Sequence, residues 1–303
     1  MWAARDARGA LVAVKTILPG QETDAALQAM FLDEARLAQL LSHPGVCRLV
    51  DFGNERGTLY MVLEWVDGGS VREAVKAAGP PTATTALRVV RRVCEALHAA
   101  HELTDERGEP LHLVHRDVSP QNVLVNMRGE VKLIDFGIAK TRQRISETTS
   151  SGVLKGKLRY MAPEQLEGGV VDRRADVWAL GALLHHLASG EELFGQANEA
   201  DILRMVVMRE PLPPPATPLP AAVARVVAQA LEFEPSARFV TALAMRDAID
   251  ASITELGGDA SDGEDASEVA AYASRALGPA LAERRAAIEL AARALDATVP
   301  RRA

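Results

Sequence analysis

Cysteine is nearly absent from this 303-residue chain, which has only two, Cys47 and Cys94. Two thiols make neither a disulfide framework nor a zinc site, and both sit in apolar stretches, so they read as small hydrophobic residues in a reducing compartment. Lysine is scarce as well: there are 6 against 28 arginines, and 34 basic residues face 41 acidic ones for a net charge of −7. Without a basic excess, neither nucleic acid nor an anionic membrane is expected as the main partner. No long hydrophobic run occurs. The most apolar segment, residues 177–187, is far shorter than the roughly 20 residues a membrane span needs. The N-terminus, Met1-Trp2-Ala3-Ala4-Arg5-Asp6, meets charge at Arg5 and has no apolar signal region. A cytoplasmic protein without a membrane span is expected. What the chain does contain is 48% apolar residues, enough to bury a core and to exclude disorder throughout.

Residues 9–18 and 46–66 are rich in Val, Leu and aromatics, and Gly53 to Gly57 punctuates the second run as a hairpin turn would. Between them Leu27, Met30, Phe31, Leu37, Ala38 and Leu41 recur at helical spacing, and His43-Pro44-Gly45 ends that helix. From Thr82 the pattern turns helical, at 83–101 and, after a β-rich insert at 111–136, at 176–188, 199–209, 221–233 and 240–255. The expected class is α+β: a small β-rich lobe (1–66) and a larger helical lobe (67–256), joined near Asp67-Gly68-Gly69. Residues 257–267, GGDASDGEDAS, have the composition of a solvated acidic linker. Beyond it, 268–303 reads as one or two amphipathic helices broken at Gly278-Pro279, a tail with room for a regulatory partner.

Three segments carry the chemistry: HRDVSPQN at 115–122, IDFG at 134–137 and MAPEQ at 161–165. Pro120 keeps the first from being helical, so Asp117 and Asn122 can converge, one taking a proton while the other helps hold a metal. Asp135 follows the strand 131–134 and precedes Phe136-Gly137, where the backbone must turn sharply. Hard oxygen ligands at such a point suit Mg2+. Near the start, Val12-Ala13-Val14-Lys15 is a strand carrying a lysine. On the first helix Glu34 falls in the middle of the apolar face, where a carboxylate is costly unless a cation meets it.

In this ordered set the sequence resembles the protein kinase family, and specifically the eukaryotic-like serine/threonine kinases of bacteria, over about residues 3–253. The resemblance implies a two-lobed kinase-like fold that transfers the ATP γ-phosphoryl group to Ser/Thr hydroxyls of protein substrates. It implies that Lys15, paired with Glu34, holds the α- and β-phosphates, that Asn122 and Asp135 bind Mg2+, and that Asp117 orients the acceptor hydroxyl. It further implies an adenine hinge at Leu63, Glu64, Trp65 and Val66, with Leu63 as gatekeeper and Ala13 and Leu124 as apolar walls. Glu164 would pair with Arg238, and Asp176 would hold the catalytic-loop backbone.

Three departures from the family pattern stand out. Lys15 lies so near Met1 that the Gly-rich loop is missing and the small lobe is incomplete, which leaves a non-catalytic scaffold, a pseudokinase, as the alternative reading. The positions that usually carry Lys after the catalytic Asp and Thr before Ala-Pro-Glu are Ser119 and Lys157. Lys157 is therefore expected to bring to Asp117 the cation usually supplied by the catalytic loop, with Ser119 completing the hydrogen-bond set. Finally, Ser146, Thr148, Thr149, Ser150 and Ser151 form a hydroxyl-rich stretch in which autophosphorylation is expected, the phosphate ordering the segment against Arg116.

Overall fold

A computed structural model of the chain describes residues 1–17, 24–136 and 156–298, with side chains to residue 294. Gly137 and the hydroxyl-rich stretch at 146–151 lie outside the described residues. The small lobe opens with strands β1 (Trp2–Arg5) and β2 (Leu11–Thr16), whose turn is tied by the Asp6 carboxylate accepting the Arg8 and Ala10 amides at 2.9 and 2.8 Å. Helix α1 (Ala25–Leu40) follows, its first turn capped by Asp24, whose side chain accepts from the amides of Ala26 and Leu27. Strands β3 (Leu49–Glu55) and β4 (Thr58–Glu64) complete an antiparallel sheet of order β1-β2-β4-β3. Alternation along β4 turns Leu59 and Met61 inward onto Phe31 and Ala35 of α1.

The large lobe begins with strand β5 (Gly68–Ser70) and helix α2 (Val71–Ala78). Helix α2 escapes the sequence reading although Ser70 and Glu73 form a reciprocal capping box ahead of it. Helix α3 (Ala83–His101) starts at the Thr82 cap, and strands β6 (Val123–Asn126) and β7 (Val131–Leu133) pair with β5 in a second sheet of order β5-β6-β7. A 3-10 turn at Leu158–Tyr160 precedes helices α4 (Pro163–Leu166), α5 (Arg174–Ser189), α6 (Glu199–Val207), α7 (Ala221–Ala230) and α8 (Ala242–Glu255). Helix α5 is apolar on nearly every side and lies in the centre of the lobe, with Trp178, Leu180, Leu183, Leu184 and Leu187 fully buried.

The last helix, α9 (Asp262–Thr298), corrects two expectations. It begins inside the stretch read as a solvated linker, because the acidic residues there meet arginines of α3 instead of water: Asp265 is 1% exposed. It also passes through Gly278-Pro279 without ending. A helical proline forfeits one backbone hydrogen bond, and Ala276, Leu277 and Leu281, buried on either side of it, hold the helix to the lobe. Among the described residues no helix is long and apolar enough to cross a membrane.

Candidate active site

The cleft between the lobes collects side chains from both sheets and from the irregular segment between α3 and β6. On β2, Lys15 lies across from Met61 of β4, and its Nζ donates to Glu34 Oε1 at 2.6 Å and to Asp135 Oδ1 at 2.7 Å. The helical position of Glu34 predicts such a cation. Burial would lower the pKa of Lys15, but Asp135 and Glu34 outweigh it and hold the ammonium above the usual lysine range. Burial lifts the Glu34 carboxyl above the ordinary range despite the lysine beside it.

Asp135 is set by its backbone. It occupies the left-handed region at φ 55°, just after β7, and the residue before it is fixed because Ile134 N donates to Asn122 O at 2.9 Å. That bond brings Asn122 and Asp135 side by side. The Asn122 amide nitrogen donates to Asp117 twice, to the backbone oxygen at 2.8 Å and to Oδ2 at 3.1 Å, so the amide oxygen is the atom able to serve a cation. Lys157 Nζ reaches the same Oδ2 of Asp117 at 2.9 Å, with the aspartate side chain only 9% exposed. Ser119 does not join this set. Its hydroxyl donates to the Asp117 backbone oxygen, at 3.4 Å, and not to the carboxylate.

Behind the loop, the buried carboxylate of Asp176 accepts the amides of His115 and Arg116, each at 2.8 Å, and the ring of His101 at 2.8 Å. Arg116 has φ 65°, a conformation costing a side-chain-bearing residue roughly 1–2 kcal/mol, and these bonds offset that strain. Burial alone would raise the Asp176 pKa, but the hydrogen bonds from the His101 ring and the His115 amide hold it below the carboxylate range. His115 accepts the Asp117 amide through Nδ1 at 3.2 Å, so its other nitrogen is the donor to Ile134 O, also at 3.2 Å. Burial keeps that ring neutral by lowering its pKa. One imidazole thus ties the loop bearing Asp117 to the strand end bearing Asp135.

The segment joining the lobes runs from Leu63 to Val66. Ala13 and Leu63 are register partners on β2 and β4, while Leu124 lies opposite Ser70 on the sheet below. Glu64 is more firmly tied than sequence reasoning anticipates. Its amide donates to Arg48 O at 2.9 Å, and its Oε1 accepts the Arg48 amide at 3.0 Å and Lys132 Nζ at 2.6 Å. The Glu64 amide is thus spent on the fold. Lys132 is absent from the sequence reading, since a single lysine on a short strand carries no local signal. Glu164 and Arg238 form a bidentate pair, both distances 2.8 Å, with the guanidinium fully buried over the Trp178 ring.

Two lobes joined by a hinge, with a lysine held between a helix glutamate and the aspartate of a strand end, agree with what comparison finds: the family model of the protein kinase domain matches residues 2–248. The chain belongs to the protein kinase family. It is 38% identical over 250 residues to Tyrosine-protein kinase MasK of Myxococcus xanthus, covering 80% of this chain and 38% of the relative. To Serine/threonine-protein kinase PknB of Mycobacterium tuberculosis it is 34% identical, covering 78% and 37%. To Serine/threonine-protein kinase PrkC of Bacillus subtilis it is 30% identical, covering 76% and 35%. The chain thus spans under two-fifths of the length of these relatives. Among solved structures the kinase domain of Mycobacterium tuberculosis PknI superimposes with a TM-score of 0.58 at 27% identity, over 80% of this chain and 85% of that one. The match to the kinase family stops at residue 248, so α9 lies outside it.

Proposed function

We propose that the chain is an active serine/threonine protein kinase that transfers the γ-phosphoryl group of ATP to hydroxyls of protein substrates. The observation that carries this reading is the pair of charge clusters in one cleft: Lys15 between Glu34 and Asp135, and Asp117 between Lys157 and Asn122. A scaffold has no need to keep six ionic or amide side chains in register across two lobes.

The donor set fits a magnesium ion. Asp135 and Asn122 offer two hard oxygens, and Mg2+ takes one or two carboxylates and completes its shell with water and substrate phosphates. Among the described residues no group of three or more His, Cys, Asp or Glu could hold a metal by itself. When bound there, the ion neutralises charge on the phosphate oxygens.

The chain's own residues do the rest. Lys15, fixed by Glu34, engages the α- and β-phosphates, and Trp65 and Val66 meet adenine through backbone groups between Ala13, Leu63 and Leu124. Asp117 accepts a hydrogen bond from the substrate hydroxyl and aims its oxygen at phosphorus. As that bond forms and the bond to the bridging oxygen breaks, ADP departs and the hydroxyl proton passes to Asp117. Lys157 places a positive charge beside the carboxylate where the transferred group's negative charge gathers. Protein substrates, a cytoplasmic setting that keeps Cys47 and Cys94 reduced, and autophosphorylation within 146–151 belong to the same reading.

The test is phosphate incorporation by the purified chain with Mg-ATP, read by mass spectrometry beside Asp117→Asn and Asp135→Asn. Phosphoserine or phosphothreonine in the wild type alone is the expected result. Phosphotyrosine, the acceptor that the name of the Myxococcus relative suggests, would overturn the acceptor class, and no incorporation would overturn catalysis. Lys157→Thr is expected to lose most activity and to regain part of it when combined with Ser119→Lys.

A further inference from the structure

Helix α9 is 37 residues long, about 55 Å, and its first two-thirds is fastened to the catalytic domain at two separate places, near Asp265 and at Arg284-Arg285. At its start Asp265 accepts Arg88 Nη1 at 2.6 Å and Arg91 Nη1 at 3.1 Å, while Glu264 and Glu268 lie 3.1 and 3.2 Å from the same Arg88, whose side chain is wholly buried. Along its middle, Val269, Tyr272, Ala273, Ala276, Leu277 and Leu281 form one buried stripe. The domain is shaped to receive that stripe. A Cβ on Gly129, in the β6–β7 turn, would stand 1.8 Å from the Ala266 carbonyl oxygen, and one on Gly69 would stand 3.1 Å from Leu277. At Gly129 the backbone of α9 leaves no room for a side chain, and at Gly69 one would crowd both Glu73 and Leu277.

The far end of the buried stretch arrives at the exit of the hinge. Arg284 Nη1 donates to Gly68 O at 2.8 Å and its guanidinium lies 3.6 Å from Glu73, the carboxylate that caps α2. Arg285 holds both oxygens of Asp67, at 3.1 and 2.5 Å. Gly68 N in turn donates to Val66 O at 2.8 Å, so the two arginines grip a tight turn that begins at the last hinge residue. Strand β5, which this turn opens, pairs with Leu124 on β6. The helix therefore fixes from outside the chain that frames the adenine position on two sides.

We propose that Arg284 and Arg285 are positioning residues for the nucleotide: by holding the Gly68 carbonyl and the Asp67 carboxylate they set the hinge exit, so that α9 docking and nucleotide binding favour one another. This rests on the assignment of 63–66 as the adenine hinge. Linkage makes the effect reciprocal, since whatever α9 contributes to nucleotide affinity, nucleotide must contribute to α9 docking.

The experiment measures binding of a fluorescent ATP analogue to the full chain, with hydrogen exchange of residues 64–70 and 276–285, for wild type, Arg284→Ala/Arg285→Ala and the exposed control Arg293→Ala. The double variant is expected to bind about fivefold more weakly, the lower end of ordinary coupling strengths, with KM for ATP rising and kcat little changed. Exchange at 64–70 rises in that variant, and ATP slows exchange at 276–285 in the wild type. Arg285→Asp combined with Asp67→Arg regains part of the affinity. Equal affinity and equal exchange at 64–70 in wild type and double variant overturn the proposal while leaving the hinge assignment in place. A wild type that binds no analogue overturns both.

Discussion

The two lobes are built on cores of very different size. Among the described residues of the small lobe, Ile17, Phe31, Ala35, Leu59 and Met61 make up the buried cluster, whereas the large lobe buries one continuous core running from α2 to α9 around α5. Even the end of α1 belongs to the larger body, because Leu41 and Val46 pack into that core and residues 45–47 bond to Leu133 on β7. Elsewhere polar contacts tie the lobes, Lys15 to Asp135 and Lys132 to Glu64. A lobe with few apolar contacts opens locally at lower cost than one with many. The difference teaches that cleft geometry depends on a few charges gripping a weak lobe against a strong one.

The largest test of this asymmetry is Arg238→Ala. It leaves the largely buried Glu164 carboxylate without its cation and is expected to cost the large lobe about 3–5 kcal/mol in denaturant unfolding followed by helical circular dichroism. Cavity substitutions compare the lobes directly. Within the usual 2–5 kcal/mol for such truncations, Leu183→Ala is expected near the top and Met61→Ala near the bottom. Exchange should rise on β2 and β4 alone for Met61→Ala, and equal, global losses from both would break the comparison.

Lys15→Met probes the polar grip. Without its cation Glu34 is expected to take up a proton at higher pH than an ordinary carboxylate, since burial already pushes it that way. A raised folded-state pKa favours the fold below the ordinary value of 4.5, and that contribution fades as pH climbs through the folded value. Relative to wild type, the variant should lose stability with rising pH, as thermal melts across pH 4–7 would record. The smallest effect concerns His186, which burial drives down to about 4 and whose Nδ1 lies 2.7 Å from the Tyr160 hydroxyl. The unfolded chain binds a proton there that the folded chain refuses, so stability falls as pH drops from 6.5 toward 4. His186→Asn should flatten that slope by at most about 1.4 kcal/mol per pH unit, with the small lobe unaffected.

Much of the fold was legible because it rests on local rules. The span of α3 follows from its cap and its periodicity, and a carboxylate on the apolar face of α1 announced a cation partner. What was missed is long-range. Arg88, Arg91 and Arg92 on α3 look like a solvated face, and GGDASDGEDAS looks like a spacer, until the fold puts Asp265 against Arg88 from 177 residues away. The family pattern puts Ser119 where a partner of the Asp117 carboxylate usually stands, whereas its hydroxyl donates to the Asp117 backbone carbonyl.

By itself the sequence determined the division into two lobes, the family and the residues that carry charge into the cleft, because periodicity, caps and motif spacing act over a few neighbours. Only the tertiary structure decided which charges are buried, that Glu64 is tied to Lys132, and that the acidic stretch begins a docked helix. A charge leaves water only when a partner compensates its desolvation, and that partner is supplied by the fold, often from a distant part of the chain.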